Sequence, residues 1–217
     1  MSEQKSARRV PKQARSQQRV DHVLDTAAAL FAEAGYESAT TNAIAARAGI
    51  SIGSLYQFFP NKEAILEALV ERYVTDLRTV LDNALSSEAN AGRTFSDMIE
   101  GMIQQMAAFE ASHQAFGVIF VSPEGSVKDS AATTQMHEEI VARVEAFIAE
   151  RFPMLEAERT RIAAAVGVAM FKGMMPLMGP PDMLAPAVVF SELKRAITGY
   201  LRAVLVTEGI ELPIDLV

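Results

Sequence analysis

The stretch TTNAIAARAGISIGSLYQFFPNK, residues 40–62, decides the fold, because it reads as two short helices separated by a tight turn. Ile44, Ala45 and Ala48 share one face of a helical segment from Asn42 to Ala48, with Thr40 or Thr41 as its N-cap. Gly49 stops that segment, since glycine takes the left-handed conformation after a helix end without strain. Two residues on, Ser51 supplies a fresh N-cap, and a helix over Ile52–Phe59 carries Leu55, Phe58 and Phe59 as apolar anchors. Pro60 ends it. Asn61 is placed to cap a longer helix from Lys62 through Ile65, Leu66, Leu69, Tyr73 and Leu77 to about Leu85. Upstream, Val20, Val23, Leu24, Ala27, Ala28, Phe31 and Ala32 fall at i, i+3, i+4, i+7 spacing, predicting a helix that ends near Gly35. Three helices thus precede one long connecting helix.

The second short helix has the chemistry of a DNA reader. A helix that enters the major groove must present short polar groups at its N-terminal end while its other face is anchored in a core. Ser51, Ser54, Tyr56 and Gln57 offer hydrogen-bonding groups outward, Leu55 and Phe59 point inward, and Gly53 has no side chain to hold the backbone away from a partner. The helix starts at Thr41 and Ser51 direct N–H groups and hydroxyls toward phosphates, and Lys62 opens the next helix close by.

Net charge argues the other way until it is divided along the chain. The total is −7. Residues 1–62 hold eight Lys and Arg against five Asp and Glu, for +3, and the remainder holds twelve against twenty-two, for −10. Lys5, Arg8, Arg9, Lys12, Arg15 and Arg19 face only Glu3 in the first nineteen residues, a basic arm able to reach phosphates. There are no cysteines, which excludes disulfides and thiolate metal sites. No apolar run reaches the roughly 18 residues of a membrane span, and none follows the basic N-terminus as in a signal peptide, so a cytoplasmic location is expected.

Beyond a polar segment at Ser86–Arg93 the helical period resumes. Phe95, Met98, Ile99, Met102, Ile103 and Met106 form one stripe, and Met136, Ile140, Val144 and Phe147 another, with a Ser-Pro-Glu-Gly break at residues 122–125 between them. The run Val118–Val121 is ambiguous between helix and strand. No other stretch alternates as a strand, so the chain is expected to be all-α. Two more helices, roughly Glu156–Met175 and Ala187–Val206, are broken by Gly179, Pro180 and Pro181. The first carries Ala163, Ala164, Ala165, Gly167, Ala169 and Gly173, residues small enough to let another helix approach closely; the second leaves mainly Ser191, Arg195, Thr198 and Arg202 as a polar stripe. Such a pair suits a two-fold intersubunit four-helix bundle, and a homodimer through the last two helices is the expectation.

The density of Met and Phe after Phe95 suits an adaptable apolar cavity, because thioethers mould around varied ligands. Met102, Met106, Phe109, Phe120, Phe147 and Met170 are the candidate lining residues. His113 and His137 lack a partner at metal-ligand spacing and read as structural or surface histidines, and Lys172 as a snorkelling lysine able to meet an anionic ligand. No paired nucleophile and base, Gly-rich phosphate loop or metal spacing is present, so neither an enzyme nor a bound cofactor or metal is expected.

The string from Thr40 to Glu63, preceded by Leu30-Phe31 and Gly35-Tyr36, resembles the tetracycline-repressor (TetR) family over about 50 residues, Arg15 to Leu66. The resemblance implies a three-helix DNA-binding domain on a larger helical domain that dimerises and binds an effector, acting usually as a repressor released by a small molecule; a transcriptional activator or a ligand-independent DNA-binding protein is the alternative. By family position, Thr41, Ser51, Tyr56 and Lys62 look like phosphate contacts, while Ile52, Ser54 and Gln57 occupy positions that can face bases. Phe58 departs from the pattern, since many relatives carry His there. The expected layout is a flexible basic arm at 1–14, the helix-turn-helix domain at 15–62, a connecting helix at 63–85 and an effector-binding and dimerisation domain at 86–217. The expected partners are double-stranded operator DNA carrying an inverted repeat, a hydrophobic or amphipathic effector and a second copy of the chain, with no membrane.

Overall fold

The computed structural model describes residues 12–86, 90, 92–121, 127, 130–177 and 184–211. Among the described residues there are eight α-helices and no strand: α1 (Lys12–Ala34), α2 (Thr41–Arg47), α3 (Ile52–Tyr56), α4 (Lys62–Leu85), α5 (Phe95–Ser112), α6 (Ala131–Arg151), α7 (Ala157–Met174) and α8 (Pro186–Thr207). The ambiguous Val118–Val121 run belongs to a π-helical turn, Gly117–Val121, and a short 3-10 turn, Met175–Leu177, follows α7. The Ser-Pro-Glu-Gly break, the Gly179-Pro180-Pro181 break and Lys5, Arg8 and Arg9 of the basic arm lie outside the described residues. The chain divides into two compact units, one ending at Leu69 and the other beginning at Val70, within α4.

In the first unit α2 packs against both α1 and α3. Val23, Leu24, Ala27 and Phe31 of α1 bury against Ile44, Ala45, Leu55 and Phe59, and Ile65, Leu66 and Leu69 complete the core. This explains why the boundary falls later than the expected residue 62: the first two turns of α4 bury their apolar face here. α1 begins at Lys12 rather than near Val20, so the last residues of the expected arm are helical, and Arg15 and Arg19 are exposed on that helix.

Side chains fix the start of each following helix. Thr40 Oγ1 accepts from the Ala43 N–H at 3.1 Å, Ser51 Oγ from the Ser54 N–H at 3.1 Å, and Asn61 Oδ1 from the Ala64 N–H at 2.8 Å. Gly49, at φ +67°, closes α2 with paired bonds from its own N–H to Ala46 O and from the Ile50 N–H to Ala45 O. α3 is shorter than the expected Ile52–Phe59. The Phe58 and Phe59 N–H groups both turn back to Leu55 O at 2.9 Å, and Pro60 disfavours helical geometry in the residue before it.

In the second unit α6 packs on α7, α7 on α8 and α8 on α5. Phe95, Phe116, Ile119 and Phe120 are fully buried there, and Phe116 stacks on Phe120 with ring centroids 5.2 Å apart. Polar groups tie the later turns of α4 to α6: Arg78 donates to both carboxylate oxygens of Glu139, at 2.6 and 3.0 Å, and Arg143 pairs with Glu139 and Asp82. The small residues of α7 divide by position. Ala163 and Ala164 are buried, whereas a methyl group added at Gly167 or Gly173 would meet nothing within 4 Å. Thr198, expected on a polar stripe, is half-buried, and its hydroxyl is enclosed without a hydrogen-bond partner.

Candidate nucleic-acid interface and effector cavity

The expected DNA-reading residues lie on one short stretch of the first unit. Gly53, Ser51, Tyr56 and Gln57 are exposed, and Thr41, Ile52, Ser54 and Lys62 are half-buried. Tyr56 is 50% exposed, so it is not a core aromatic, and its hydroxyl lies 3.3 Å from Thr41 Oγ1. The first turn of α2 and the last of α3 therefore present two hydroxyls side by side, an arrangement that can donate to two oxygens of one phosphate. Ser51 and Ser54 are less free, since Ser51 Oγ lies 2.8 Å from Ser54 Oγ and also caps α3. A Cβ at Gly53 would meet nothing within 4 Å, so the chain's own packing does not require glycine there.

Lys62 has a structural role that its position in the sequence does not reveal. Its ammonium donates to Tyr36 O at 2.8 Å and Glu37 O at 3.3 Å, and stands 4.1 Å from the centroid of the Tyr36 ring. These bonds fasten the loop after α1 to the start of α4. His22, which sequence reasoning passed over, does similar work: its Nε2–H donates to Ala48 O at 3.2 Å and ties α1 to the end of α2. His22 is exposed overall and its partner lies 26 positions away, so no local pattern marked it. Arg47 is held by Glu33 through two hydrogen bonds, at 2.5 and 2.7 Å.

The second unit encloses a cavity of about 50 Å³ with an almost wholly apolar lining drawn from α4, α5, the π-turn, α6, α7 and α8. Of the six candidate residues, Met102, Met106, Phe120 and Phe147 lie in its lining. Phe109 and Met170 do not, and two of the six expected lining residues are corrected. The Phe109 ring is engaged elsewhere, stacked on His113 at 3.8 Å and edge-on to Phe116 at 5.1 Å. On α7 the row facing the cavity is Ala163, Gly167, Val168 and Phe171, which leaves Met170 to one side. Sequence reasoning missed this row and Ile197, Tyr200 and Leu201 of α8. Their i, i+3, i+4 and i, i+4, i+8 spacings were the signal, read there as helix packing alone.

The two histidines of this unit differ. His113 stands 3.3 Å from Asp76 and 2.9 Å from Ser112 Oγ, so it has a carboxylate neighbour that the sequence could not place. His137 has its Nδ1 buried without a partner, and burial, followed by the charge of Lys172, lowers its pKa. No group of three metal-ligating side chains occurs among the described residues, and no helix among them is long and apolar enough to cross a membrane.

Comparisons with known proteins agree with this architecture. The family model "Bacterial regulatory proteins, tetR family" matches residues 23–69, and that of the "Tetracyclin repressor-like, C-terminal domain" matches residues 94–201. The transcriptional repressor KstR2 of Rhodococcus jostii is 34% identical over 100 residues, covering 44% of this chain and 46% of that protein. The transcriptional activator FasR of Mycolicibacterium smegmatis is 29% identical over 151 residues, covering 68% of this chain and 66% of that protein. The match thus spans about half the length of KstR2. The fold is that of the regulator FadR from Bacillus subtilis, solved in complex with stearoyl-CoA, at a TM-score of 0.65 and 14% identity over 82% of this chain and 96% of that one. With one family model on the reading helices and the other on the helices that enclose the cavity, the chain belongs to the tetR family of bacterial regulatory proteins, which are DNA-binding transcription regulators and not enzymes.

Proposed function

We propose that the chain is a homodimeric repressor that binds an inverted-repeat operator in double-stranded DNA and is released when a hydrophobic or amphipathic small molecule enters the cavity. The observation that carries the reading is the exposed face of α3 and its C-cap, where Gly53, Tyr56 and Gln57 are exposed on a helix anchored by buried Leu55. Thr41, Ser51 and Tyr56 hold phosphates, and Lys62 adds its remaining N–H while it braces the Tyr36 loop. Ile52, Ser54 and Gln57 face bases, with the Gln57 amide suited to a bidentate pair with adenine. Gly53 lets the backbone approach. The protein works in the bacterial cytoplasm, where its DNA is, and needs no cofactor.

Dimerisation through α7 and α8 would set two reading helices in successive major grooves. Ile162, Val166, Ala169 and Gly173 of α7 and Leu177 of the 3-10 turn after it form an apolar or small outward row, with Ile162 42% exposed and Leu177 40%. Release needs an effector with different affinities for the DNA-competent and released forms. A cavity of about 50 Å³ is far below the roughly 300–1,000 Å³ of typical ligand sites, so an effector must shift the flexible Met102 and Met106 side chains as it enters.

Activation is the second reading, favoured by one observation: the similarity to the activator FasR covers more of this chain than the similarity to KstR2 does. Fluorescence anisotropy with inverted repeats flanking the chain's own coding sequence tests the DNA function, and transcription in vitro from the bound promoter decides the sign. Saturable binding that exceeds binding to scrambled DNA, with lowered transcription, is expected. Equal affinity for scrambled DNA overturns the operator reading, and raised transcription overturns repression.

A further inference from the structure

Two polar side chains stand close to Phe120, a residue of the cavity wall, although neither is itself among the lining residues. Phe120, fully buried in the π-turn, lines the cavity, and Lys172 Nζ stands 4.5 Å from the centroid of its ring. The His137 ring lies 6.1 Å from the same ring, centroid to centroid, with its Nδ1 enclosed and unpartnered. The residue before Lys172 on α7, Phe171, is itself a cavity residue. Every ion pair described for this unit lies elsewhere, on Arg78, Arg143, Arg159, Lys194, Arg195 and His113. Among the described residues Lys172 has the Phe120 ring and no carboxylate partner.

Electrostatics agree with the geometry. Burial holds the Lys172 ammonium below the usual lysine range. The lysine charge in turn disfavours protonation of His137, opposed only by Glu138. The surroundings of Phe120 are therefore positive and poorly solvated, a setting in which an anion gains more from a charge-assisted hydrogen bond than it would in water.

We propose that Lys172 and His137 form the head-group subsite of the cavity and that the effector is an amphipathic carboxylate. Its hydrocarbon portion lies among Met102, Met106 and Phe147, and its two oxygens accept from Lys172 Nζ and from the Nδ1–H of His137. The four-carbon lysine stem can carry Nζ off the Phe120 ring to a ligand oxygen while the ring remains part of the wall. One ammonium and one imidazole supply donors for the two oxygens of a monoanion. A dianionic phosphate would leave charge uncompensated in a half-buried site. This inference rests on the cavity being the effector site.

Isothermal titration of the full chain with sodium octanoate and with 1-octanol at pH 7.5 tests it, since the two probes share a tail length and differ in the charged head. Octanoate is expected to bind the wild-type chain about tenfold or more tightly than octanol. In Lys172→Met the preference falls to near parity while octanol affinity is kept, which also reports an intact cavity; Lys172→Arg retains the preference and His137→Leu reduces it severalfold. Parity in the wild type, or a preference that survives Lys172→Met, overturns the subsite. Octanol binding without a preference for octanoate removes the anion subsite and leaves an apolar effector cavity, whereas no binding of either probe removes both.

Discussion

Two residues separate what a position does for DNA from what it does for the fold. Gly53 is exposed, has an ordinary backbone conformation, and would place a Cβ in open space. Gly53→Leu should therefore leave the free energy of unfolding within about 0.5 kcal/mol of wild type and abolish operator binding. Retained binding would show that close backbone approach is not needed there. Lys62 is the opposite case, because it holds two carbonyls and a ring as well as standing near the proposed phosphate path. Lys62→Ala should cost about 1–2 kcal/mol in urea unfolding and flatten the salt dependence of DNA binding by about one unit. Gln57→Ala should change neither stability nor salt slope, but should alter preference at one base position by about 1–3 kcal/mol in a competition assay. The caps at Ser51 and Asn61 were legible because a cap acts over three residues. The second role of Lys62 was not, because its partners lie 25 and 26 positions away.

At the scale of elements, legibility followed the range of the interactions. The limits of α4, α7 and α8 were readable to within a residue or so from Asn61, from the small-residue run and from the apolar width of the last helix. The start of α1 was missed because its first two turns carry polar residues that no apolar period marks. A stripe likewise tells which face of a helix is buried but not what it is buried against, so Phe109 read as a lining residue although its ring is spent on His113. The link between α4 and α6 gives a prediction of this kind. Arg78, bonded to both Glu139 oxygens, holds the Glu139 carboxyl below its usual value, and Arg143 lowers it further. A carboxylate with a depressed folded-state value contributes stability above its unfolded value of 4.5, and that contribution is lost as pH falls through the folded value. Glu139→Gln should lower the urea midpoint of the second unit at pH 7 by an amount worth no more than about 1 kcal/mol, since Arg78 is 47% exposed. Below pH 4.5 the difference from wild type should shrink, and a difference constant from pH 8 to pH 3 would show that the pair is not what the substitution removes.

For the molecule as a whole, the −7 net charge conceals a division of labour: the excess of basic residues lies in the segment that reads DNA, and the acidic excess lies in the segment read as binding effector and partner. In the proposed dimer a single three-helix reader would grip one half-site, and the affinity of two linked readers would come from a high effective concentration of the second once the first is bound. Dimerisation should therefore control operator occupancy without changing how each reader recognises its half-site. The outward row on α7 offers a direct way to separate the two. Ala169 is exposed on the chain, between Val166 and Gly173 of that row, so a charged side chain there can extend into solvent. Ala169→Arg should leave helical content and unfolding midpoint unchanged in dilute solution, yet sediment as a monomer. Its affinity for the full operator should fall by about a hundredfold or more, while affinity for an isolated half-site stays at the wild-type value. If the variant still sediments as a dimer with full operator affinity, the seam lies on another face. If it is monomeric but keeps operator affinity, each chain reads its site alone and the two-fold arrangement is not the source of binding strength.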